Sequence, residues 1–251
     1  MTKRGLPDWL PLLALAANGI ALVAVAYWIF RARTVFLAAN PDWGPVTVSR
    51  AISDPSVGPP FAIWISLAGA LLTFGVFFNA AFYFWTARRL PAPRSALLVT
   101  WLVLPPAIIA LQAVSGVRTY PLSSYPFPAH NAAHMTGSYL FFVAQALVVF
   151  GGTVLSQVLL RDRSSLDWLV AQGALREGWV RWRRNFGLIC IAMTVGYVFL
   201  FKAKNLDLDP MNEEIYLAYT SVEPALIVSF LIFLGLFQPD LLALRHRQPR
   251  S

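Results

Sequence analysis

Several stretches of this chain are too long and too uniformly apolar to live in water. They read as six runs: Trp9–Phe30, Phe61–Thr86, Ala96–Val117, Ala132–Leu159, Phe186–Phe201 and Ile215–Phe237. In hydrocarbon every backbone N–H and C=O must be bonded internally, which leaves helices or closed barrels. Barrel strands would be roughly ten residues long with strict alternation. These runs are mostly about twice that length and apolar on all sides, so they predict helices. A helix of roughly 20 residues crosses a ~30 Å hydrocarbon core. Phe186–Phe201 falls short and is expected to borrow Lys202 and Lys204, whose stems can reach the interface. Charged residues make up only 13% of the chain, against roughly 25% in soluble domains. The expected architecture is all-α: a single domain over 1–251, folded as a six-helix transmembrane bundle. The apolar part of the first run exceeds the roughly 7–15 residues of a signal-peptide core, so an uncleaved first helix is expected.

Charge sets the expected orientation. The N-terminal segment, second loop, fourth loop and C-terminal segment carry fourteen of the Lys and Arg residues, and the other three loops carry six. Basic residues prefer the cytoplasmic side, so both ends are expected inside. This topology accounts for the net charge of +8 without a nucleic-acid partner, and none is expected. In the fourth loop, Leu166, Leu169, Val170 and Ala174 share a helical face, near Trp168, Trp179 and Trp182. Two readings stay open there. One is a helix lying on the inner leaflet, where each arginine near anionic lipid contributes about 1 kcal/mol. The other is an ordinary charged connector. The basic segment 160–185 is also the expected contact for a membrane or cytoplasmic protein partner.

Ionisable groups inside spans are costly, roughly 2.5–3.5 kcal/mol on insertion scales, so their positions are informative. Glu223 lies inside the sixth run and Pro224 follows it. Proline removes the hydrogen bond to the carbonyl of Thr220, which predicts a polar notch, with the hydroxyls of Tyr216, Tyr219, Thr220 and Ser221 nearby. His130, Asn131 and His134 open the fourth run. The two histidines are four apart and can share a face, a spacing compatible with a metal, with Glu223 as a third ligand. The simpler reading is interfacial histidines that cap or pair with loop groups. No metal and no cofactor are expected. Asp54 precedes the second run, where a turn or N-cap carboxylate is its plain role. The topology places Asp54, His130, His134, Tyr219 and Glu223 on one side of the bilayer, as candidate ligand-binding residues. A carboxylate–imidazole–carboxylate set can support acid–base chemistry on a lipid or can bind a headgroup without reacting.

Other classes find less support. No G-x-S-x-G motif occurs, so a serine-lipase mechanism is not expected. No lysine lies mid-span to hold retinal, and three histidines, one of them His246 in the tail, do not suit a bis-histidine haem. Pro105-Pro106 is the best feature for a transporter, but paired broken helices in repeated halves are missing. The acidic fifth loop (Asp207, Asp209, Glu213, Glu214) reads as a solvated cluster. The lone Cys190 reads as a small buried hydrophobe.

Three segments resemble the damage-regulated autophagy modulator (DRAM) family. They are Ile52-Ser53-Asp54 with Gly58-Pro59-Pro60, then Ala132-Ala133-His134-Met135-Thr136-Gly137, then the tyrosine-rich start of the sixth run with Glu223 ahead of Phe230 and Phe233. The wider family includes FRAG-type proteins of GPI-anchor lipid remodelling and the N-terminal part of the fungal CWH proteins. The resemblance covers nearly the whole chain. It implies six spans, cytoplasmic ends and a link to lipid remodelling, phosphoinositide signalling or autophagy. The chain departs from the family at Pro55-Ser56-Val57, where relatives often carry a glycine turn, and at Phe61, where an acidic residue often follows the double proline. The preference for arginine over lysine fits a GC-rich bacterial source, in which the membrane would be the plasma membrane. The expected function is lipid interaction without catalysis. The alternatives are a membrane-embedded lipid-remodelling enzyme and a small-solute transporter.

Overall fold

A computed structural model describes residues 9–54, 56–87, 128–171, 173 and 175–240, with the side chains of 73, 75–87, 128–141 and 144 outside that description. The only regular structure among the described residues is α-helix. The helices are α1 (Trp9–Ala39), α2 (Val48–Ala51), α3 (Gly58–Ala87), α4 (Pro128–Arg161), α5 (Arg163–Ala171), α6 (Glu177–Ala203) and α7 (Asn212–Gly235). Among the described residues, three stretches are long and apolar enough to cross a membrane by length and composition: Trp9–Ala39, Glu177–Ala203 and Asn212–Asp240. Shorter apolar stretches lie in α3 (Gly58–Leu72) and α4 (Gln145–Arg161). The third expected run, Ala96–Val117, lies outside the described residues.

Two boundaries differ from expectation. The first helix runs nine residues past Phe30, to Ala39. Ala32 and Phe36 are buried there, so the added turns have an apolar face to cover. The helix stops where Asn40 caps the carbonyl of Phe36 through its backbone and side-chain nitrogens, just before Pro41, which disfavours helix at the residue preceding it. At 31 residues α1 is about 46 Å long, well beyond a ~30 Å core. The expected short span is also longer, because α6 begins at Glu177 rather than Phe186. Arg181, Arg183 and Arg184 therefore stand on a helix, not in a connector. Glu177 fixes its start, accepting from Arg163 of α5 at 2.7 Å and from Arg181 one turn on at 2.6 Å. The expected surface helix exists as α5, but Leu166 and Leu169 are buried in the protein core and not turned to lipid. They close one end of the helix assembly.

Pro59 and Pro60 fall in the first turn of α3, where backbone N–H groups have no intrahelical partner to lose. Pro224 sits inside α7, whose helical pattern runs unbroken from Asn212 to Gly235.

Helix α7 is the shared wall of two apolar cores. Ile227 and Leu231 join the core built by α1, α2 and α3. Leu226, Phe230 and Phe233, on its other side, join the core of α4, α5 and α6. The chain ends of these helices define two poles. The arginine-bearing connection from α4 through α5 to α6 marks a basic end. The opposite, loop end carries residues 40–57 and 204–211.

Gly187 sets the approach of α6 to α4. A Cβ there would overlap the Thr153 hydroxyl, which bonds back to the carbonyl of Val149, and would press on the Phe233 ring. Gly187→Ala should therefore destabilise by about 1–3 kcal/mol, the usual cost of overpacking. Thr153→Ala in the same chain should recover part of the loss. Thermal unfolding in detergent reads both, and a wild-type midpoint for Gly187→Ala would refute the close approach.

Candidate functional site

At the loop end, four elements converge on one carboxylate. Glu223 stands about three turns into α7 and is 3% exposed. Its Oε2 accepts from the backbone N–H of Val48 at 2.7 Å. Val48 is the first residue of α2, and Thr47 before it caps that helix by accepting from Arg50 N–H. First-turn N–H groups have no partner inside a helix, so Glu223 satisfies a donor that would otherwise be stranded in the interior. The field on Glu223 is positive, supplied by Arg33 of α1 and Lys204 just past α6. The Lys204 ammonium lies 4.4 Å from the Tyr219 ring centre and 4.8 Å from that of Phe201. Burial pulls its pKa below the ordinary lysine value, and the Glu223 carboxylate opposes that pull.

Tyr219 precedes Glu223 by four residues and shares its helix face. Its ring stacks on Tyr197 of α6, with centroids 5.2 Å apart and planes 14° from parallel. The two hydroxyls are 3.1 Å apart. The sequence offered only a faint signal for Tyr197, one of two hydroxyls, with Thr194, in an apolar run.

The remaining expected residues divide. Asp54 lies six residues beyond Val48 in the same connection. Its Oδ1 accepts from the Ser56 N–H at 2.8 Å and the Ser56 hydroxyl at 2.6 Å. Those bonds hold its carboxyl below the usual value. Its backbone carbonyl accepts from Val57 and Gly58 as α3 begins. Asp54 thus shapes the turn and shares no hydrogen bond with Glu223. His130 and His134 fall in the first two turns of α4, and their side chains lie outside the described residues. Among the described residues, no three His, Cys, Asp or Glu side chains cluster as a metal site would require.

A second polar cluster, at the basic end, was not legible in advance. Arg183 of α6 and Asp240 beyond α7 form an ion pair, each side chain 2% exposed. The Arg183 guanidinium also lies 4.6 Å from the Phe237 ring centre. Beside it, Asn18 of α1 donates to Gln238 at 2.7 Å across 220 residues of sequence. Nothing in the sequence sets Arg183 apart from the other arginines of its segment. The signal that existed was Asn18, a lone amide inside the first apolar run.

Long apolar helices with polar pairs buried between them define a helical integral membrane protein. Residues 8–244 match the Frag1/DRAM/Sfk1/Cwh43P N-terminal domain, and the chain belongs to that family. No curated protein and no solved structure matches it.

Proposed function

We propose that this family member is a six-span, non-catalytic, lipid-binding protein that holds a headgroup in a crevice at its loop end. Tyr219 and Glu223 form the inner wall. Asp54, His130 and His134 stand at the ends of neighbouring helices at the same pole. The observation that carries this reading is Glu223 itself, an ionisable group within an apolar helix, held by a backbone N–H and flanked by two cations from other elements. Charged groups at that depth are costly, and they mark sites of function more often than of packing. The positive-inside rule would put the basic end, with both termini, in the cytoplasm and the crevice at the outer leaflet. For a bacterial source this is the plasma membrane. At the basic end, exposed Arg176 and Trp182 suit segment 160–185 to the inner leaflet or to a partner there.

Native mass spectrometry of the purified protein tests the crevice. Glu223→Gln and His134→Ala should each lower the occupancy of co-purified lipid by about tenfold, the equivalent of about 1.4 kcal/mol. Unchanged occupancy in both variants overturns the proposal. Turnover of labelled phospholipid in nanodiscs, abolished by His134→Ala, would replace it with the enzyme reading.

A further inference from the structure

We propose that Arg33 and Lys204 form the phosphate subsite of the loop-end crevice, so that the bound headgroup is recognised through its phosphate. This rests on the lipid-binding reading above and adds to it the chemical class of the ligand.

The first observation is an imbalance of charge. One carboxylate, Glu223, lies in the field of two cations. Glu223 accepts its hydrogen bond from the Val48 N–H and makes no ion pair with either cation. Of the other acids of this end, Asp54 is bonded to Ser56 and Asp207 to Asn212, while Asp42, Asp209, Glu213 and Glu214 stand exposed at the surface. A surplus positive charge in a partly desolvated place favours an anion.

The second observation is the state of Arg33. Its Nε is buried and meets no acceptor among the described residues. Arginine stays charged in proteins, and its planar fork fits a phosphate through two parallel N–H···O bonds. An unmet Nε–H leaves that fork open on one edge. Lys204, half-buried over two aromatic rings, supplies the point charge that commonly accompanies such a fork.

The third observation is depth. Arg33 is 24 residues beyond Trp9 on α1, about 36 Å along the helix. That places it just past a ~30 Å hydrocarbon core, at headgroup level. Aromatic residues mark the same level independently. Trp28 of α1 stacks on Trp64 of α3 with centroids 5.8 Å apart, and Arg31 lies 5.7 Å from the Trp28 ring. Tryptophan concentrates at this boundary. The anion that a bilayer presents there is a lipid phosphate.

The full chain in detergent is titrated with phosphatidylglycerol and with a chain-matched, phosphate-free galactolipid, read by native mass spectrometry. Phosphatidylglycerol should bind and the galactolipid should not. Arg33→Gln should weaken phosphatidylglycerol at least about tenfold, as loss of a charge-assisted pair does. Arg33→Lys, which keeps the charge but not the fork, should fall between. Lys204→Gln carries the same test at the second cation should Arg33→Gln not fold. Equal binding of both lipids, or no effect of either glutamine variant, overturns the phosphate subsite. If equal binding is also lost in Glu223→Gln, the crevice stands and only the subsite falls. If neither lipid binds, both fall. Inorganic phosphate at millimolar concentration should leave bound phosphatidylglycerol in place, and stoichiometric displacement would assign the site to the free ion and overturn the lipid source.

Discussion

Asp240→Ala should destabilise the protein by about 3–5 kcal/mol, the loss seen when one partner of a buried ion pair is removed. The reason is the charge left behind. Arg183 is 2% exposed and cannot shed its proton in a protein. Without Asp240 its guanidinium would be held in the interior without the carboxylate it pairs with. Arg183→Met alone should cost a similar amount, because it takes the guanidinium away from the buried Asp240 carboxylate. Replacing both, Arg183→Met with Asp240→Leu, should recover most of the loss, since a well-packed apolar pair often does as well as a buried salt bridge. Unfolding in detergent or mixed micelles measures all three. Single variants within about 0.5 kcal/mol of wild type, the range of ordinary surface changes, would show that the pair is not buried as described.

Glu223→Ala carries the second large effect, and it is local. Losing the carboxylate leaves the Val48 N–H without its acceptor, a cost of about 1–3 kcal/mol. It also removes the carboxylate that attracts Arg33 and Lys204. The connection 40–57 should loosen from α7. Hydrogen exchange should speed at Val48 and through α2, while the core of α4 and α6 keeps its protection. Glu223→Gln retains an oxygen that can accept from Val48, so its effect on exchange should be much smaller than that of alanine. Identical exchange in Glu223→Ala and wild type would remove the clamp from the account.

Both effects sit where sequence and structure part company. The apolar runs at 9–30, 61–86 and 132–159 each fall inside an observed helix, and the run at 215–237 overruns its helix by two residues, because a backbone in lipid must satisfy itself locally and the residues of the run alone decide that. Glu223 and Tyr219 stood out because a charge in an apolar run is conspicuous without any knowledge of its partner. The family was legible from short segments in the right order. The start of α6 was not, because Arg183 reads as a loop cation until Asp240, 57 residues later, is seen to accept it. The burial of Leu166 and Leu169 on one face of α5 was hidden too, since lipid and protein cores accept the same side chains.

What the sequence determined by itself is therefore the membrane, the helices and one misplaced carboxylate, each a property of a short stretch and its solvent. Tertiary structure alone decided the partners: Val48 for Glu223 across 175 residues, Gln238 for Asn18, and Asp240 for Arg183. A buried polar group is tolerable only with its complement, and that complement arrives from another helix whose approach no local pattern encodes.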